Sequence, residues 1–148
     1  MTLEHARDAL RAAGVNGRWV IPGQAETLGA EKGAYALVLH LEEPVGFNQT
    51  SLRPGLYVYL GSARGPGGLG ARLKRHFQAE KKIHWHIDRL TTATGKIAAS
   101  AIVGGDECDL VAKLLRQPKF ECAATGFGST DCRVCQSHLL RATILASN

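Results

Sequence analysis

The segment from Gly55 to Phe77 constrains this chain more than any other, because it reads in order as a strand, a glycine-dense turn and a helix. Leu56, Val58 and Leu60 alternate with Tyr57 and Tyr59, so a strand sets three aliphatic side chains on one face and two phenols on the other. Five glycines fall between Gly61 and Gly70 and allow a tight turn or a close backbone approach. Leu69, Leu73 and Phe77 then recur at helical spacing and mark a buried side, with Arg72 and His76 one turn apart beside it. An ordinary strand–turn–helix with surface polar groups meets the same pattern. What distinguishes this one is that two phenols, an arginine and a histidine converge around the turn.

At 148 residues and 45% hydrophobic content the chain is expected to be one globular domain with a real core. Eighteen Lys and Arg against thirteen Asp and Glu give +5 and a pI near 9.2, which favours a polyanionic partner. No apolar run approaches the length of a membrane span, and the first residues carry two acids and no apolar signal core. A cytoplasmic protein is expected, with nucleic acid rather than membrane as its partner. In that setting four cysteines read as thiols or metal ligands, not as a disulfide framework.

Along the chain, residues 2–14 have a helical period and 18–21 a short strand, within an N-terminal helix and connector spanning 1–30. Residues 33–41 read as a buried strand with Tyr35 near its start, and 42–53 as a connection to the central strand. With no helix-length segment between them, the two strands are expected to pair antiparallel. A helix follows at about 68–80. Ile83, Ile87 and Leu90 suggest a helical face over Lys81–Leu90, with His84 and Asp88 four apart on another. Lys96–Val103 is a third strand, and Asp106 suits the N-cap of a helix that carries Leu110, Val111, Leu114 and Leu115 on its buried side. Gly126–Asp131 is expected as a loop and Val134–Leu145 as a last helix.

Three features together resemble the GIY-YIG nuclease superfamily. Gly33-Ala34-Tyr35 stands where that family has its first tripeptide, and Tyr59-Leu60-Gly61 where it has its second. Arg72 follows eleven residues after Gly61. Lys-Lys-Ile-His-Trp-His-Ile-Asp from Lys81 and Gly-Phe-Gly-Ser-Thr-Asp-Cys from Gly126 are similar to a narrower branch, the small stand-alone Uri-type endonucleases. The resemblance covers roughly 31–141, so 31–148 is taken as a nuclease-like domain. It implies an α+β fold on a small three-stranded antiparallel sheet flanked by helices. It also implies a nucleic-acid phosphodiester hydrolase that uses one divalent cation, Mg²⁺ or Mn²⁺, with DNA rather than RNA expected as the substrate.

Carried over residue by residue, the resemblance makes Tyr35 or Tyr59 the group that deprotonates or orients the attacking water. Arg72 becomes the phosphate clamp and His76 its neighbour one turn on. His84 or His86 becomes a further histidine, and Glu107 the metal ligand, with Glu121 as its rival. Gly61, Ser62, Lys74 and Arg75 are candidate substrate contacts. The chemistry fits these residue types. A planar guanidinium meets two phosphate oxygens at once, and a hard cation typically needs one carboxylate plus water and substrate oxygens. A phenol with a free pKa near ~10 needs a cation beside it to act as a base.

The chain departs from the family pattern in three places. Ala34 replaces a bulky aliphatic, Ser62 stands where some members have lysine, and residues 119–122 lack the asparagine that many members carry. Separately, Cys132-x-x-Cys135-x-x-His138 has zinc-ligand spacing that Cys108 or Cys122 would complete. The other function class is a non-catalytic nucleic-acid-binding module on the same fold. The presence of Tyr35, Tyr59, Arg72 and Glu107 together favours the enzyme.

Overall fold

A computed structural model describes residues 2–124, 127 and 137–143. In chain order it contains α1 (Leu3–Ala12), β1 (Arg18–Val20), a 3-10 turn (Ala25–Thr27), β2 (Gly33–Leu41), β3 (Val45–Phe47), β4 (Thr50–Leu52) and β5 (Gly55–Ala63). There follow α2 (Gly68–Phe77), α3 (Asp88–Thr91), β6 (Lys96–Val103), α4 (Glu107–Leu115), β7 (Phe120–Cys122) and β8 (Leu139–Ala142). β3 and β4 form a hairpin inside the predicted connection. The other six strands make one antiparallel sheet in the order β1-β6-β2-β5-β8-β7.

The predicted three strands are the middle of that sheet, not the whole of it. β2 pairs with β5 from Gly33↔Ala63 to Leu41↔Gly55, and with β6 from Gly33↔Val103 to His40↔Lys96. The sheet is wider because β1 adds to β6, while β8 and then β7 add beyond β5. Each added strand is only three or four residues long, too short to show an alternation in the sequence.

The two faces of β5 are occupied as its alternation predicts. Leu56, Val58 and Leu60 join Ala34, Ala36 and Val38 under α1 and α4, which contribute Leu10, Leu110 and Leu114. Tyr57 and Tyr59 lie on the opposite face with Tyr35, Leu37 and Leu39, covered by Leu69 and Leu73 of α2 and Ile87 and Leu90 of α3. The molecule is therefore helix, sheet, helix in three layers. Asp106 caps α4 as predicted, accepting from the Asp109 N–H at 3.0 Å.

Two predicted helices are corrected. Leu139–Ala142 is strand β8, with Leu139 in one core and Leu140 in the other, as consecutive strand residues must be. Residues 134–136 and 144–145 of that predicted helix lie outside the described residues. Lys81–Leu90 is not one helix either, since only the single turn Asp88–Thr91 forms there and Ile83 is exposed. The reason is Asp88, whose carboxylate accepts the backbone N–H groups of His84 and Trp85 at 2.8 and 2.9 Å and holds that segment outside a helical ladder.

The glycine-dense turn also has a structural explanation. Gly68 begins α2 at φ +59, and a Cβ there would collide with the backbone of Ala30 and Glu31. The first amides of the helix are taken by this connector: Leu69 N–H bonds the Glu31 carbonyl and Gly70 N–H the Gly29 carbonyl. The close approach these glycines permit is thus to the chain's own backbone, and the start of α2 is satisfied internally.

Candidate active site

Tyr35 on β2 and Tyr59 on β5 stand on the α2 face with ring centroids 6.4 Å apart. The register places Gly61 opposite Tyr35, and the phenol lies across it, so that a Cβ at 61 would overlap Tyr35 Cζ and Oη. The Tyr35 Oη is 2.6 Å from Nε2 of His76, which α2 presents one turn after Arg72. Tyr35 and His76 are both fully buried, whereas Tyr59 is half-buried. His76 also meets the ring of Tyr59, at 6.3 Å between centroids.

Burial dominates the protonation of this cluster. It pushes the Tyr35 phenol well above its ordinary value, reinforced by the charge Tyr59 would carry and opposed by Arg72. It raises Tyr59 to about 12, again with Arg72 pulling downward and Asp88 and Glu107 pushing upward. His76 is driven down to about 3, first by burial and then by the positive charges of Lys81 and Arg72. At neutral pH the site therefore holds two neutral phenols and a neutral imidazole.

Arg72 is the cation among them. Its guanidinium sits 4.5 Å from the ring of Trp85, and no carboxylate lies in ion-pair range of it among the described residues. Arg75 occupies the same indole at 4.2 Å but is committed elsewhere, to a two-pronged pair with the buried Asp88 at 2.8 Å on each oxygen. Burial works against ionising Asp88. The Arg75 bonds and the two backbone amides outweigh it and hold the carboxyl well below the usual range. Arg75 thus fixes the 82–86 segment and, with it, the platform on which Arg72 rests. Lys81 supports the same corner by donating to the Arg75 and His76 carbonyls at 2.8 and 3.0 Å, closing the end of α2.

Glu107 is the first residue of α4, which packs against β5. Its charge acts on the Tyr59 phenol, and its Oε2 is buried with no hydrogen-bond partner among the described residues. A buried carboxylate oxygen without a donor is costly unless something positive meets it. The buried Glu107 Oε2 is a hard oxygen donor of the type that would hold one divalent cation. The rival Glu121 is exposed on edge strand β7, opposite Arg141.

The remaining predicted residues divide. Gly61 and Ser62 lie at the end of β5, and Lys74 is exposed on α2. His84 is exposed against Trp85, while His86 is half-buried against Phe47 and Phe127, with centroids 4.9 and 5.6 Å away. Cys132 and Cys135 lie outside the described residues. His138 is buried with Nε2 3.8 Å from Cys108 Sγ, and no cluster of three or more potential metal-ligating side chains occurs among the described residues. Sequence reasoning missed the organising role of Asp88, whose signal was its place three and four residues after Trp85 and His84. It also missed Phe127, which packs on Tyr59 at 6.1 Å.

The family described as a domain of unknown function, DUF123, matches residues 34–147. This chain belongs to the DUF123 family. The match takes in every residue of the cluster from Tyr35 to Glu107, and the family description carries no activity. No curated protein and no solved structure matches this DUF123 chain. Among its described residues no helix is long and apolar enough to cross a membrane.

Proposed function

We propose that this DUF123 chain is a GIY-YIG-type endonuclease that hydrolyses the phosphodiester bonds of nucleic acid, with DNA as the substrate and one divalent cation, Mg²⁺ or Mn²⁺, at Glu107. The observation that carries this reading is that Tyr35, Tyr59, His76 and Arg72 lie together on the α2 face, while Glu107, whose Oε2 has no hydrogen-bond partner among the described residues, acts on the Tyr59 phenol from the start of α4. Zinc is not part of this reading.

Each side chain has a task. Arg72 has no carboxylate partner among the described residues and lies beside the Tyr35 phenol, so its planar fork can be offered to the non-bridging oxygens of the phosphate. Tyr59, half-buried and held protonated, orients the attacking water by hydrogen bonding. Tyr35 is closed off from solvent and bonded to His76, so it sets the position of the cluster and does not touch the water. Glu107 would hold the cation, whose chemistry there would be positive charge against the phosphate and a lowered pKa for bound water. Water oxygen attacks phosphorus, one P–O ester bond breaks, the water's proton leaves to solvent, and the departing alkoxide takes up a proton from solvent to leave as a hydroxyl. The test is incubation of the purified chain with labelled single- and double-stranded DNA in Mg²⁺, Mn²⁺ or EDTA: cleavage is expected with the metals and none with EDTA.

A further inference from the structure

A second feature lies one aromatic layer from Tyr59. The β3–β4 hairpin and the start of α3 enclose a groove of about 480 Å³, within the range of sites for small organic groups. Its inner wall includes Phe47 and His86, whose rings meet edge to face at 4.9 Å. The exposed residues Asn48, Gln49 and Arg89 also line it. Arg89 is exposed and has no ion-pair or hydrogen-bond partner for its guanidinium among the described residues. Phe127 packs against Phe47, His86 and Tyr59 and so joins this groove to the cluster.

The hairpin turn is strained. Asn48 and Gln49 have φ of 47° and 65°, the left-handed pair that a two-residue turn demands and that usually takes Asn-Gly. Gln49 stands where glycine costs least, and a strained side chain at a cleft points to use of that side chain. The groove offers the half-buried His86 ring backed by Phe47, two primary amides, and the Arg89 guanidinium, which is unpaired among the described residues. That set matches a nucleobase and its phosphate: rings to stack on, amides to meet the base edge, and a cation for the backbone.

We infer that this groove holds a base of the substrate strand next to the bond being cut, with Gln49 reading its edge and Arg89 holding its phosphate. The inference rests on the nuclease reading for its substrate, but its test does not need cleavage. Fluorescence anisotropy in EDTA compares a labelled single-stranded oligonucleotide with an abasic strand of equal length. Gln49→Gly, which relieves the turn, should leave the melting temperature at or above the parent's. It should weaken binding of the base-bearing strand by roughly tenfold, the scale of one read base, and leave the abasic strand unchanged. Arg89→Ala should weaken both strands and reduce the salt slope by about one. Equal effects of Gln49→Gly on the two strands, or no effect on either, would overturn the groove. A chain that shows the base-dependent loss but never cuts would keep the groove and remove the nuclease. One that cuts without that loss would do the reverse.

Discussion

The phenol of Tyr35 occupies the space above Gly61 that any larger residue would fill. The two tripeptides are thus linked sterically, since the glycine of the second exists to admit the tyrosine of the first. Gly61→Ala is expected to displace Tyr35 from His76 and cost about 1–3 kcal/mol, the range for overpacking a buried site. Tyr35→Leu makes room, so the double variant should lose less than the sum of the two single losses in urea denaturation. Strict additivity would show that the two residues do not share that space.

Arg72→Lys keeps the charge and loses the planar fork. The cleavage rate should fall by at least one to two orders of magnitude, roughly 1.4–2.8 kcal/mol at 1.36 kcal/mol per decade, with little change in melting temperature. A lysine variant that cuts as fast as the parent would make Arg72 a surface charge resting on Trp85.

Tyr57 and Tyr59 share a face of β5 but differ in surroundings. The Tyr57 hydroxyl is tied to the Arg53 carbonyl at 2.6 Å, so Tyr57→Phe should lower stability by about 1 kcal/mol and leave the rate nearly unchanged. Tyr59→Phe keeps the ring and removes the hydroxyl that faces the water. Single-turnover cleavage should fall by about tenfold, the worth of one orienting hydrogen bond of about 1.4 kcal/mol, with binding retained. If Tyr57→Phe proves the more damaging change, the site has been placed on the wrong residue of this strand.

His76 makes the fold sensitive to mild acid. Its folded pKa is depressed to about 3 by burial, while an unfolded histidine titrates near ~6.5. The unfolded chain therefore takes up a proton that the folded chain refuses. The stability His76 contributes is complete above about 6.5 and is lost as pH falls toward about 3. His76→Gln can still bond the Tyr35 hydroxyl and does not titrate. Its melting temperature should change less than the parent's between pH 7 and pH 5, and identical slopes would contradict a neutral buried His76.

The centre of the fold was legible in the sequence and its margins were not. Gly33–Leu41 and Lys96–Val103 are legible to the residue because long apolar runs bounded by breakers leave little choice. β8 was mistaken for a helix because two adjacent leucines, Leu139 and Leu140, fit either period, and only the sheet shows that they face opposite cores. The His-Trp-His segment has helical spacing, yet Asp88 draws its amides away, a side-chain-to-backbone competition that hydrophobic periodicity does not register. Within the site, tripeptide spacing located Tyr35, Tyr59 and Arg72. It did not reveal that Tyr35 is sealed from solvent or that Arg75 is bound to Asp88, because both follow from packing between elements far apart in the chain.

Glu107 has a buried oxygen with no hydrogen-bond partner among the described residues, and its charge acts on the Tyr59 phenol. The most direct measurement is the Mn²⁺-dependent cleavage rate of the parent, Glu107→Gln and Glu121→Gln on one labelled DNA, with EDTA as the blank. The expected result is activity in the parent and in Glu121→Gln, with none in Glu107→Gln or in EDTA, while all three proteins melt alike and bind DNA with the same salt dependence. Undiminished cleavage by Glu107→Gln, or by the parent in EDTA, would contradict it.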